Sequence, residues 1–227
     1  MNVSHFQTEF DKMMNRDYFS EKVHPMRQEA FSKFLEMGLP TRKWEDWRFT
    51  NLSSISKRNF RLSGVQDMPK GDIDISQYEI NDLETIVIYN GHYQETLSSI
   101  PSGVQLLSGL DYLEKTNSEF NSPEHSPFDL LNTAFMDSGM SIVVDSNVDV
   151  EKPIRMLFIS SGLESLMVTP RIHIDLGESS SVTFIEHHVG NSTSFFQNES
   201  VFVILGQNAQ LNHIRIQSNS VSTANIA

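Results

Sequence analysis

Two stretches of this chain, Arg171-Ile172-His173-Ile174-Asp175-Leu176-Gly177-Glu178 and Val201-Phe202-Val203-Ile204-Leu205-Gly206-Gln207, decide how its fold is read. The first alternates apolar and polar residues strictly, which is the pattern of a strand with one buried face. Both end in Leu-Gly followed by a polar residue, and the two Leu-Gly pairs lie 29 residues apart. Beyond each pair the echo continues, with Val182 and Ile185 at the offsets of Leu211 and Ile214. Glycines at 162, 177, 190 and 206 divide the region into intervals that each hold a strand and a turn. Repeated units of this size suggest a solenoid in which each unit covers the open face of the last. A sandwich of short β-strands gives similar punctuation.

Working outward, Glu84-Thr85-Ile86-Val87-Ile88-Tyr89 reads as a strand entering the turn pair Asn90-Gly91, and Ser141–Val144 and Ile154–Ile159 are further extended runs. Asn212–Ile216 and Val221–Ile226 keep the strand pattern up to Ala227 without a polar cap. An uncovered end exposes backbone donors and acceptors, so the chain is expected to continue past Ala227, and the isolated piece to self-associate or fray from about Asn208 onward.

The first sixty residues have a helical period instead. Phe6, Phe10 and Met13 recur at i, i+4 and i+7. Pro25 suits a first helical turn, Met26, Ala30, Phe34 and Met37 form a stripe, and Gly38-Leu39-Pro40 stops it. A polar connection rich in Gly, Asp and Pro runs from Ser63 to Gln77. The expected organisation is a helical domain and linker over 1–80 and a β core over 81–227.

Composition narrows the function. Cysteine is absent, which removes disulfides, a thiolate nucleophile and cysteine-ligated metals from these residues. The formal charge is −12, divided into +3 over residues 1–64 (11 Lys/Arg against 8 Asp/Glu) and −15 over 65–227 (6 against 21). An acidic surface of that kind argues against nucleic acid as a partner. The N-terminus lacks the basic and apolar regions of a secretory signal, and Val201–Leu205 is far too short to span a bilayer. No membrane association and a cytoplasmic location are expected. There is no Gly-x-x-x-x-Gly-Lys-Ser/Thr loop for ATP and no Gly-x-Gly-x-x-Gly for a dinucleotide.

Glu186-His187-His188 is the most suggestive cluster, with His173 and Asp175 close in sequence. On a strand His187 and His188 point to opposite faces, whereas Glu186 and His188 share one and would supply two metal ligands, a third coming from a neighbouring unit. The plainer reading is hydrogen-bonded histidines, because no distinctive ligand spacing is present. Arg171, Asp175 and Glu178 could be taken as an acid/base set of a polysaccharide-cleaving enzyme, but they are equally the polar face of an alternating strand. Trp44 and Trp47 read as anchors of the helical region or of an interface. No catalytic, cofactor or metal residue is assigned, and the chain is expected not to be an enzyme.

Gly38-Leu39-Pro40 followed by Glu45-Asp46-Trp47-Arg48-Phe49-Thr50 resembles the Gly-x-Pro…Glu-x-Trp-Arg/Lys-Tyr-Thr signature near the start of SufD proteins, with Phe49 in place of the usual tyrosine. Tyr89-Asn90-Gly91, Leu131-Asn132-Thr133-Ala134-Phe135 with Gly139 and Ile142, then Pro153-Ile154, Pro170-Arg171, Glu186 and Glu199 follow in the family's order. The resemblance implies a mainly β fold, a right-handed parallel β-helix preceded by a small α-helical N-terminal domain. It also implies a scaffold role in SUF iron–sulfur cluster assembly, in a protein complex with SufB and the SufC ATPase. The family's SufB-facing histidine and SufC-docking helices would lie beyond Ala227, so none of them is carried onto this sequence. The competing expectations are a β-helix carbohydrate-active enzyme and a structural β-solenoid module, both of which would normally carry an export signal.

Overall fold

A computed structural model describes residues 4–15, 23–69, 71, 73–109, 111, 126–136, 139–162, 165–192, 194–220 and 223–226. Val221, Ser222 and Ala227, at the end of the strand pattern in the sequence, lie outside the described residues. The elements are helices α1 (Ser4–Met14), α2 (His24–Met37), α3 (Ser53–Ser56) and α4 (Pro127–Phe135) with thirteen strands. The strands are β1 (Arg61–Leu62), β2 (Glu84–Tyr89), β3 (His92–Tyr93), β4 (Val104–Ser108), β5 (Gly139–Val144), β6 (Ile154–Ser160), β7 (Leu166–Val168), β8 (Arg171–Leu176), β9 (Ser181–Gly190), β10 (Phe195–Asn198), β11 (Ser200–Leu205), β12 (Gln210–Gln217) and β13 (Thr223–Ile226).

They form three sheets, ordered β1-β7-β10-β13, β11-β8-β5-β4 and β12-β9-β6-β2-β3. From β7 to β13 the chain visits the three in a fixed rotation, and every pairing there is parallel. The 29-residue echo is the register itself: Leu205 pairs with Leu176, Leu211 with Val182 and Ile214 with Ile185.

The expectation of a mainly β, right-handed parallel β-helix is corrected by this topology. Among the described residues the structure is mixed α/β, three mostly parallel sheets with four α-helices, and the sheets do not close into a solenoid. The difference arises before residue 139. Asn90 and Gly91 both take positive φ, 47° and 86°, which is the two-residue turn that folds a chain back on itself, so β3 runs antiparallel to β2. β4 is likewise antiparallel to β5. Strand propensity and glycine spacing identify extended segments but not the direction in which each pairs.

α4 is capped by Ser126, whose Oγ accepts the amide of Asp129, and has Pro127 in its first turn. It packs with α1 and α2 around Phe6, Phe10, Phe31, Phe34 and Phe135, an aromatic cluster that also takes in Met167 and Phe196 from the β1-containing sheet. Phe10 stacks on Phe31 with ring centroids 4.1 Å apart, and Phe135 meets both edge-on. α2 ends where the sequence predicts, at Gly38 with φ 67°. Its buried face runs through Arg27, Ala30, Phe31 and Phe34, while Met37 is exposed.

Buried polar groups tie α4 to the sheets. Asn132 donates to the carbonyls of Pro170 and Asn198 at 3.1 and 2.8 Å, and Asn198 donates back to Phe128 at 2.8 Å. Arg171 donates to Thr133 Oγ1 at 2.9 Å and lies over the Phe202 ring at 4.4 Å, and its burial lowers the guanidinium to about 10. A second core of Ile, Val, Leu, Met and Phe side chains fills the space between the other two sheets.

Gly190 ends β9 at φ 131°, and a Cβ there would stand 1.9 Å from the Ser160 carbonyl oxygen of the paired strand. Backbone strain and a main-chain clash coincide, so Gly190→Ala should cost about 3 kcal/mol. Urea unfolding of the two proteins measures this, and a loss below about 0.5 kcal/mol would show that the strand end shifts freely.

Candidate functional site

β9 alternates buried and half-buried residues over most of its length, and its inward face changes character halfway. Val182 and Phe184 join the apolar core, whereas the next two inward positions are Glu186 and His188, both fully buried. Parallel register supplies their neighbours. On one side Phe158 of β6 pairs with His188, and their rings stack 4.7 Å apart at 8°. On the other, Arg215 of β12 pairs with Glu186. Across the interior, Gln197 and Glu199 reach the same place from β10 and from the residue between β10 and β11.

The groups make one connected polar set that reaches the surface through Arg215 and His213. Arg215 spans both carboxylates, with Nη1 3.2 Å from Glu186 Oε2 and Nη2 3.3 Å from Glu199 Oε2. His213 Nε2 lies 2.7 Å from Glu186 Oε1. Gln197 Nε2 donates to Glu199 Oε2 at 2.8 Å and lies 3.1 Å from His188 Nδ1. With the amide so placed, Nδ1 is the accepting nitrogen and Nε2 is the one turned to the carboxyls. That nitrogen faces Glu186 Oε2 at 3.5 Å and Glu199 Oε2 at 3.6 Å.

The two carboxyls have different electrostatic fates. Burial pushes Glu199 up, and the neighbouring Glu186 charge pushes it further, to about 8, against the opposing pull of Arg215 and Gln197. Burial also pushes Glu186 up, but the His188 imidazole, Arg215 and His213 together outweigh it and hold the group below its ordinary value. One proton is therefore retained at Glu199 near neutral pH while Glu186 stays ionised.

Among the described residues, Glu186, His188 and Glu199 are the three whose ligand atoms converge as a metal site requires, all within 4.8 Å of one another. Glu186 and His188 do share a face, and the third ligand, Glu199, comes from between β10 and β11 rather than from a strand hydrogen-bonded to β9. The remaining residues singled out in the sequence go elsewhere. His173 stacks on Phe202 at 5.1 Å in another sheet. Arg171 is engaged with α4, and Glu178 is exposed at a turn. Trp47 packs on Phe128 at 5.0 Å, while Phe49 is 92% exposed. Gln197, His213 and Arg215 were not found from sequence. The 29-residue echo, carried one position past Ile185 and Ile214, would have placed Arg215 beside Glu186.

The chain matches two family descriptions in sequence, the SufBD protein N-terminal region over residues 3–156 and the SUF system FeS cluster assembly, SufBD core domain over residues 158–227. It is 26% identical over 225 residues to an iron–sulfur cluster assembly SufBD family protein of Synechocystis, an alignment covering 88% of this chain and 49% of the relative. It is also 26% identical over 201 residues to the iron–sulfur cluster assembly protein SufD of Escherichia coli, covering 86% of this chain and 46% of that one. The chain thus spans about half the length of the curated relatives it matches.

Two outcomes follow from these charges. Glu186→Gln removes the anion that Arg215 and His213 both serve and should cost about 2–4 kcal/mol, whereas Glu199→Gln imitates a carboxyl that already keeps its proton and should cost under about 1 kcal/mol. Equal losses in urea unfolding would contradict this division of roles. Separately, desolvation and the Arg171 charge lower His173 from 6.5 to about 4. The unfolded chain then takes up a proton that the folded chain refuses, so this histidine's contribution is complete above pH 6.5 and is lost as pH falls toward 4. His173→Gln should flatten the pH dependence of the melting temperature in that window, and an unchanged slope would count against it.

Proposed function

The chain belongs to the SufBD family of the SUF iron–sulfur cluster assembly system, and from that premise we propose that it acts as a SufD-like scaffold subunit, working in the cytoplasm with SufB and the SufC ATPase. The observation that carries this reading is the ordered match to both family regions along nearly the whole chain, together with the likeness to a relative named SufD. In this role the chain is a structural partner and not an enzyme. The absence of cysteine and of a phosphate-binding loop from its sequence supports that assignment, since ATP turnover and cluster ligation would both fall to partners. No described helix is long and apolar enough to cross a membrane.

Apolar side chains on the outer strands support an association surface. Val203, Ile204 and Leu205 of β11 and Ile214 and Ile216 of β12 are exposed on the strands at the edges of two sheets. Such edges pair with further strands or with another chain. The isolated 227-residue chain should use this surface to self-associate.

Deleting the gene and restoring it tests the role in the cell. Loss should lower the specific activity of iron–sulfur enzymes such as aconitase under iron limitation without lowering their protein amounts, and the purified chain should hydrolyse no ATP. Unchanged iron–sulfur enzyme activities in the deletion, or ATP turnover above a buffer control, would contradict the proposal.

A further inference from the structure

We propose that Glu186, His188 and Glu199 form a binding site for one first-row divalent cation of the Fe2+, Co2+ or Zn2+ type, with Arg215 occupying the charge position of that cation when it is absent. This inference rests on the geometry of the cluster and not on the assembly role, so either can fail without the other.

Three observations converge on it. First, the separations are those of ligands and not of hydrogen-bond partners. His188 Nε2 stands 3.5 Å and 3.6 Å from the two carboxylate oxygens that face it. These distances are long for an N–H···O bond. Two donors held about 2.1 Å from a tetrahedral ion lie about 3.4 Å apart, so the same separations suit an ion placed between them. Second, buried polar atoms point to this spot without a hydrogen-bond partner among the described residues. They are His188 Nε2 and Glu199 Oε1, on side chains that are 1% and 0% exposed. Buried atoms of this kind ordinarily mark a water or an ion. Third, the His188 ring is fixed with Nε2 toward the carboxyls, its Nδ1 beside the Gln197 amide, which can accept as well as donate, and its plane stacked on Phe158.

The donor set selects the ion. One imidazole and two carboxylates, with no sulfur, suit borderline first-row divalent ions better than copper(I), while the imidazole disfavours magnesium and calcium. Binding at Nε2 requires the imidazole proton on Nδ1, where Gln197 turns its amide oxygen to accept it, and Glu199 releases its proton to solvent as it becomes a ligand. Arg215 gives the route and the competition. It sits on β12, an edge strand, with its side chain 28% exposed beside His213 at 34%. Its guanidinium can swing outward as the ion enters, because two positive charges cannot share the pair of carboxylates.

The test titrates the purified chain with Co2+ and follows its ligand-field absorption, with Zn2+ as competitor and circular dichroism to confirm folding. The expected result is one Co2+ per chain in a nitrogen–oxygen environment, displaced by Zn2+, with the melting temperature raised by binding. His188→Gln and Glu199→Gln should each weaken binding by about tenfold or more. Arg215→Met, which leaves every ligand in place and removes the competing charge, should tighten it by roughly tenfold. The opposite sign in the arginine variant keeps the test decisive even if a ligand variant folds poorly. No saturable absorption in the folded chain would overturn the proposal. So would binding that survives both ligand substitutions, which would mark an adventitious ion at other histidines, or weaker binding in Arg215→Met.

Discussion

Parallel register is the constraint on which the rest of this structure depends. Once β9 pairs with β12 at a 29-residue offset, the side chain facing each inward position of β9 is chosen for it. For Val182 the partner is Leu211, and apolar meets apolar at no electrostatic cost. For Glu186 the partner is Arg215, and a carboxylate that could not remain ionised alone in such an interior gains a cation within 3.2 Å. The same offset that stacks the hydrophobic core therefore also builds the polar set within it.

The other end of the molecule uses neutral groups for the same purpose. α4 meets the start of β8 at Arg171, and Asn132, Thr133 and Asn198 hydrogen-bond main-chain and guanidinium groups that would otherwise lose water without replacement. The aromatic cluster between α1, α2 and α4 then fixes the helices over those sheets. The frame built in this way presents sheet edges and faces with defined geometry. The buried cluster adds to that frame the one place among the described residues where a nitrogen and two carboxylates are held together.

The sequence made the strands legible where their pattern was repeated. Leu176 and Leu205 announced the register, and Pro25 and Gly38 bracketed α2 to within a residue. What it could not show was direction. The run Glu84–Tyr89 is as good a strand as any later one, yet the positive φ of Asn90 and Gly91 turns its successor antiparallel, and the expected β-helix gave way to a mixed α/β fold. α4 falls in a block of family resemblance, and Ser126-Pro127 followed by Asp129 is a helix-start signal that marks it independently. At the site, Glu186 and His188 could be paired from strand alternation alone. Glu199 could not, because its approach depends on how the chain crosses between sheets after β9, and no periodicity records that crossing.

The central claim is that a charge on an edge strand sustains the buried carboxylate of its neighbour, and a double-mutant cycle between Glu186 and Arg215 measures it most directly. Unfolding free energies of the parent chain, Glu186→Gln, Arg215→Met and the double variant should give a coupling of more than about 1 kcal/mol, the two losses overlapping because each removes the same interaction. Additive losses within about 0.3 kcal/mol would mean that the two side chains do not sense one another, and the account of the buried cluster would be wrong.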